Sequence, residues 1–166
     1  MSMTTVVKPR VYIETTVPSY LTARPSRNLI RAAHQQLTRE WWHRRGEFDL
    51  YVSRLVLLEC GAGDPDAAAE RTAALAGLPV LDEAEAIITL AENLVDGVPL
   101  PTKASADAVH IAASAVHRME YLLTWNCRHI ANATLRSRVE AICRAAGLEA
   151  PLICTPEELR FLGDRP

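Results

Sequence analysis

Val11-Tyr12-Ile13-Glu14 is a β-branched and aromatic run closed by an acid. Its first three residues suit a central strand buried on both faces. Pro18 follows closely, which predicts that the strand ends near Glu14 without passing directly into a helix. Working outward, Leu29, Ala33, Leu37 and Trp41 recur every fourth residue, the spacing of a long amphipathic helix entered at Ser26 as N-cap and closed at Gly46. Phe48 to Val52 alternates apolar and polar side chains as a second strand does. Ser53 then caps a short helix carrying Leu57, Leu58 and Glu59.

Gly61, Gly63, Asp64 and Pro65 break that helix, and an alanine-rich run over 66–76 starts another. Leu78 to Leu81 reads as a brief strand. Asp82 is the expected N-cap of the next helix, with Glu85 in the capping-box position. Ala84, Ile87, Ile88, Ala91 and Leu94 form its apolar face, and Gly97 ends it. Thr102 or Ser105 opens a helix through His117, and Tyr121 to Thr124 is a buried strand. A last long helix covers about 135–146 and stops at Gly147, before a strand at Leu152 to Cys154 and a turn or helix from Pro156. Strands alternating with helices imply right-handed βαβ crossovers. The expectation is one α/β domain over 1–166, a three-layer α/β/α sandwich with a central, mainly parallel sheet. Ligands in such a fold belong at the C-terminal edge of the strands.

Composition narrows the function classes. A chain of 166 residues, 49% hydrophobic, can bury a full core. A formal net charge of -2 gives no global attraction to nucleic acid, so a polyanion must be held by a local patch or by metal. No stretch reaches the roughly 18 apolar residues of a membrane span, and the N-terminus lacks the apolar core of a secretory signal. The expected location is cytoplasmic. Cys60, Cys127, Cys143 and Cys154 contain no C-x-x-C pair, which argues against structural zinc and for reduced thiols. Neither G-x-G-x-x-G nor a Walker lysine motif is present, so the usual phosphate cradles are absent from the sequence.

Three isolated carboxylates stand in apolar settings: Glu14 after its strand, Glu59 after Leu55-Val56-Leu57-Leu58, and Asp107 before Ala108-Val109-His110-Ile111. A core has no use for unpaired acids at such places. Asn126, at the end of a predicted parallel strand, lies where the sheet would bring it to the same rim. Hard divalent cations prefer such oxygen ligands, and a bound ion activates water toward a phosphodiester. Each residue has a plainer role as well. Glu14 can cap a turn or pair with Arg10 or Arg24, and Glu59 can be an exposed helix acid. Asp107 can serve the helix dipole, and Asn126 can make a local turn bond. Thr15 and Thr124 flank the rim; Thr124 is read as β propensity. His110 lies one helical turn after Asp107, where it packs against the sheet or supports the site. Cys127 with His129 gives a weak alternative, thiol chemistry, with no third group evident.

The order Tyr12-Ile-Glu-Thr-Thr16, then Glu59, then Ser105-Ala-Asp-Ala-Val-His-Ile-Ala-Ala113, then Leu122-Leu-Thr-Trp-Asn-Cys-Arg-His-Ile130 resembles a PIN domain, specifically a VapC-like one, over nearly the whole chain. The resemblance implies a metal-dependent endoribonuclease whose Mg²⁺ or Mn²⁺ is held by Glu14, Glu59, Asp107 and Asn126. It further implies a homodimer, an RNA substrate and a cognate antitoxin protein that holds the toxin inactive. Two positions depart from the commoner pattern. Glu14 replaces an Asp and extends the carboxylate by one bond, and Asn126 brings oxygen without charge. Those departures motivate the alternative of a non-catalytic nucleic-acid or protein-binding module on a degenerate PIN scaffold.

No Asp or Glu occurs between Thr15 and Arg39, whereas Arg24, Arg27, Arg31 and Arg39 fall there. Arg27 and Arg31 are expected on one helix face, as a phosphate-binding stripe or an ordinary solvated face. Trp41 has core spacing, which leaves Trp42 as the freer candidate for base stacking.

Overall fold

Five strands form one parallel sheet in the order β3-β2-β1-β4-β5. They are β1 Arg10–Ile13, β2 Asp49–Ser53, β3 Val80–Leu81, β4 Tyr121–Leu123 and β5 Leu152–Cys154. This computed structural model describes residues 7–99 and 104–161. Among them, seven α-helices flank the sheet and complete a three-layer α/β/α sandwich: α1 Thr16–Thr22, α2 Leu29–His43, α3 Arg54–Cys60, α4 Pro65–Leu75, α5 Glu85–Gly97, α6 Ser105–Val116 and α7 Ala133–Ala145. The sheet is parallel throughout, so every connection is a crossover and the strand ends share one edge. No described helix is long and apolar enough to cross a membrane.

The central place of β1 follows from its side chains. Val11, Tyr12 and Ile13 are all fully buried, which requires cover on both faces. Truncating a residue like Ile13 to Ala removes about 2–5 kcal/mol of packing. α5 meets α7 closely: a Cβ on Gly97 would come within 2.6 Å of Ile142 Cδ1.

Several boundaries differ from the sequence expectations. Pro18 lies inside α1, not beyond a helix-free segment. It occupies the first turn, where a missing N–H costs no intrahelical bond. Asn28, not Ser26, caps α2, its side-chain oxygen accepting from Arg31 N. Arg27 consequently precedes the helix and shares no helical face with Arg31. The buried face of α2 is Gln35, Thr38 and Trp41, while Leu29 is 87% exposed and Ala33 also faces solvent. Asp82 does not cap α5, because the chain stays extended through Ala84 before the helix begins. Ile88 points outward and Leu90 takes its place in the core. α6 starts at Ser105, and Thr102 lies outside the described residues. Ser53 caps α3 as expected, accepting from Val56 N.

Candidate metal centre

The C-terminal edge of β1 and β4 gathers the polar groups. Ile13 pairs with Leu123, and Glu14 N continues the ladder by donating to Leu123 O, so Glu14 and Thr124 come side by side. The chain then turns into α1 through a bond from Val17 N to Glu14 O. Glu59 arrives from the last turn of α3. Asp107 and His110 arrive from the start of α6, which precedes the parallel strand β4 and therefore begins at the edge where strands end.

Glu14 is only 4% exposed, and its burial is matched by donors. Its Oε2 accepts from Thr16 N at 3.1 Å, from the Thr16 hydroxyl, and from Thr124 Oγ1 at 2.7 Å. Thr124 is therefore a positioning residue, which corrects its reading as mere strand propensity. All three donors use Oε2, so Oε1 has no protein donor among the described residues.

Glu59 has the same asymmetry. Its Oε2 accepts from Thr15 Oγ1 and from His110 Nε2, the latter at 3.0 Å, leaving Oε1 without a donor among the described residues. Thr15 is the N-cap of α1, yet its hydroxyl serves Glu59 and makes no cap bond. Burial pushes the Glu59 carboxyl up. Hydrogen bonds from His110 and Thr15, with the electropositive Nε2–H edge of His110 turned toward it, more than offset it and hold the carboxyl below its ordinary value.

His110, 1% exposed, is both packed and part of the site. Its Nδ1 lies 2.7 Å from Tyr12 OH, which lies 2.7 Å from Ser53 Oγ. A consistent assignment runs in one direction. Nε2–H donates to Glu59, Nδ1 of the neutral ring accepts from the Tyr12 hydroxyl, and Tyr12 accepts from Ser53. Burial pushes the Tyr12 phenol far up, so it remains a neutral hydroxyl able to donate. Tyr12, Ser53 and Thr16 are the supporting residues that sequence reasoning missed. Their signal was weak because each is also ordinary at a strand, cap or helix start.

Asp107 and Asn126 form a second group. Asp107 Oδ1 accepts from Asn126 Nδ2 and its Oδ2 lies on His129 Nδ1, each at 3.0 Å, so both carboxylate oxygens have partners. Asn126 Oδ1 accepts from His129 N at 3.1 Å, the local turn bond foreseen as its plainer role. Thr124 joins the two groups, since its hydroxyl also accepts from Asn126 N. His129 is thus turned toward Asp107. The Cys127 thiol is pushed up by burial, and His129 gives it no activation. Cys60, Cys143 and Cys154 are buried, free, and pushed up to about 11, 11 and 12 by desolvation.

Glu14, Glu59 and His110 each present one ligand atom, all within 4.8 Å of one another. No protein family and no curated protein matches the chain. The fit to a cation therefore rests on the donor set. Metal–oxygen bonds of about 2.1–2.5 Å place neighbouring ligand atoms some 3–5 Å apart, which the spacing satisfies. Two carboxylates with an oxygen each to spare suit a hard or borderline divalent ion. His110 Nε2 serves either Glu59 or an ion, and the bonding seen assigns it to Glu59. Asp107 and Asn126 lie outside this three-residue cluster, held by each other and by His129.

Proposed function

We propose that the chain is a Mg²⁺- or Mn²⁺-dependent endoribonuclease of the PIN type, the VapC-like toxin of a toxin–antitoxin pair, acting as a homodimer restrained by its antitoxin. The observation that carries the hydrolytic reading is the meeting of Glu14 and Glu59, each braced through Oε2 and each with Oε1 to spare. A divalent ion bound there supplies a Lewis acid and a water of lowered pKa for attack on a phosphodiester. Glu14 and Glu59 hold the ion. Asp107 adds negative charge and remaining lone pairs at the same sheet edge, and Asn126 and His129 fix its orientation. His110 and Tyr12 keep the Glu59 carboxylate aimed, and Thr124 does the same for Glu14. The toxin role, antitoxin and dimer are supported by the ordered motifs alone.

A second reading, a non-catalytic binding module, draws on Asp107, both of whose oxygens are already engaged. One experiment separates the two. Purified protein is incubated with total RNA, with Mn²⁺ or with chelator, beside Glu59→Gln and Asp107→Asn. Cleavage that needs metal and disappears in both folded variants is the expected result. Binding of RNA without turnover favours the module.

A further inference from the structure

The loop between α1 and α2 and the first turn of α2 enclose a hollow of about 210 Å³, separate from the metal centre. Ser19, Tyr20, Ala23, Arg24, Ser26, Arg31 and Gln35 line it. No acid lies on its wall, and no Asp or Glu occurs anywhere between Thr15 and Arg39. Arg24 and Arg31 both have exposed side chains, and neither guanidinium makes a salt bridge or a hydrogen bond with the described residues. Other arginines, Arg144 among them, also lack side-chain partners among the described residues, but Arg24 and Arg31 stand together on one concave wall. Two unpaired, like-charged groups on one concave wall repel each other unless an anion joins them.

The hollow is built, not incidental. Gln35, 4% exposed, donates from Nε2 to Arg24 O and accepts at Oε1 from Ser26 N, both at 2.9 Å. That clamp fixes the loop carrying Arg24 against α2. Asn28 caps the helix and sets Arg31 in its first turn, where no acid offsets the positive helix end. The hollow is also tied to the metal centre. Ser19 Oγ donates to Thr15 O at 2.8 Å, and Thr15 is the residue that braces Glu59. α1, about 10 Å long, starts two residues after Glu14 and carries Ser19 and Tyr20 of the hollow's wall.

We propose that Arg24 and Arg31 bind one backbone phosphate of a single-stranded RNA whose neighbouring phosphodiester lies at Glu14 and Glu59. The guanidinium fork fits phosphate oxygens bidentately. Tyr20, partly buried on the wall, adds an aromatic edge of the kind that accompanies single-strand grooves. Arg27 and Arg39 do not line the hollow, so the stripe suggested by sequence narrows to two residues. The assignment rests on the ribonuclease reading for the identity of the strand, and on the hollow alone for phosphate binding.

The test is anisotropy of a short labelled single-stranded RNA, titrated with protein in chelator at several salt concentrations, so that no cleavage is involved. For Arg24→Ala/Arg31→Ala the slope of log K against log salt should shrink by about 0.7, the value for one phosphate on a single strand. Affinity at low salt should fall about 10–100-fold, as expected for lost charged hydrogen bonds. Arg144→Ala, an exposed arginine on α7, should keep the wild-type slope. An unchanged slope and affinity in the double variant overturns the proposal, and so does an equal loss in Arg144→Ala. If Glu59→Gln still cuts RNA in the separate Mn²⁺ cleavage assay while the double variant loses binding in chelator, the phosphate site stands and the hydrolytic reading falls.

Discussion

The two halves of the rim are built on opposite plans. On the β1 side, Ser53, Tyr12, His110 and Glu59 form a chain that ends in a carboxylate with a free oxygen, and its first three members are buried. On the β4 side, Asp107 is closed at both oxygens by Asn126 and His129, and the Asp107 and His129 side chains keep 17% and 26% of their exposure. A buried relay is costly to break because each member's loss orphans another in a low dielectric. A partly exposed clamp opens toward water, which replaces the lost partner. The first half presents a fixed carboxylate with an open oxygen, and the second presents a carboxylate whose partners water can replace.

Stability measurements can break this contrast. His110→Ala leaves a cavity and removes partners from Tyr12 and Glu59, and is expected to cost about 2–4 kcal/mol in denaturant unfolding. His129→Ala should cost under about 1 kcal/mol. Equal costs would mean that the two halves are alike. Tyr12→Phe comes next in size. It strips a partner from Ser53 and from His110 while keeping the ring packing, for an expected loss of about 1–2 kcal/mol.

The smallest effect is acid dependence. Glu59 has a folded pKa below its ordinary 4.5, so its contribution is fully present above 4.5 and is lost as pH falls through the lower folded value. Thermal unfolding of metal-free protein between pH 6 and pH 3 should therefore decline less steeply for Glu59→Gln than for the wild type. Parallel curves would show that Glu59 gains nothing from its partners.

The fold was legible because β1 and β4 are apolar on both faces and alternate with helices, a pattern that only a covered parallel sheet accommodates. The face of α2 was not legible. Its buried side carries Gln35 and Thr38, made tolerable by bonds to the preceding loop, to His34 O and from Trp125 Nε1. Apolar spacing instead picked out Leu29 and Ala33, which face water. Trp42, the freer candidate of the two tryptophans for base stacking, packs beside Trp41 and under Arg45. At the site, isolated acids in apolar runs were readable, and so was their common edge. Pairing was not, because hydrogen-bond partners such as Tyr12 and His110, 98 residues apart, meet only through the strand register.

Calorimetric titration with Mn²⁺ tests the centre most directly. Wild-type protein should bind the ion saturably, Glu14→Gln should abolish the heat, and Asp107→Asn should weaken binding while leaving it measurable. Unchanged binding in Glu14→Gln, or none in the wild type, would contradict a metal centre built on the open oxygens of Glu14 and Glu59.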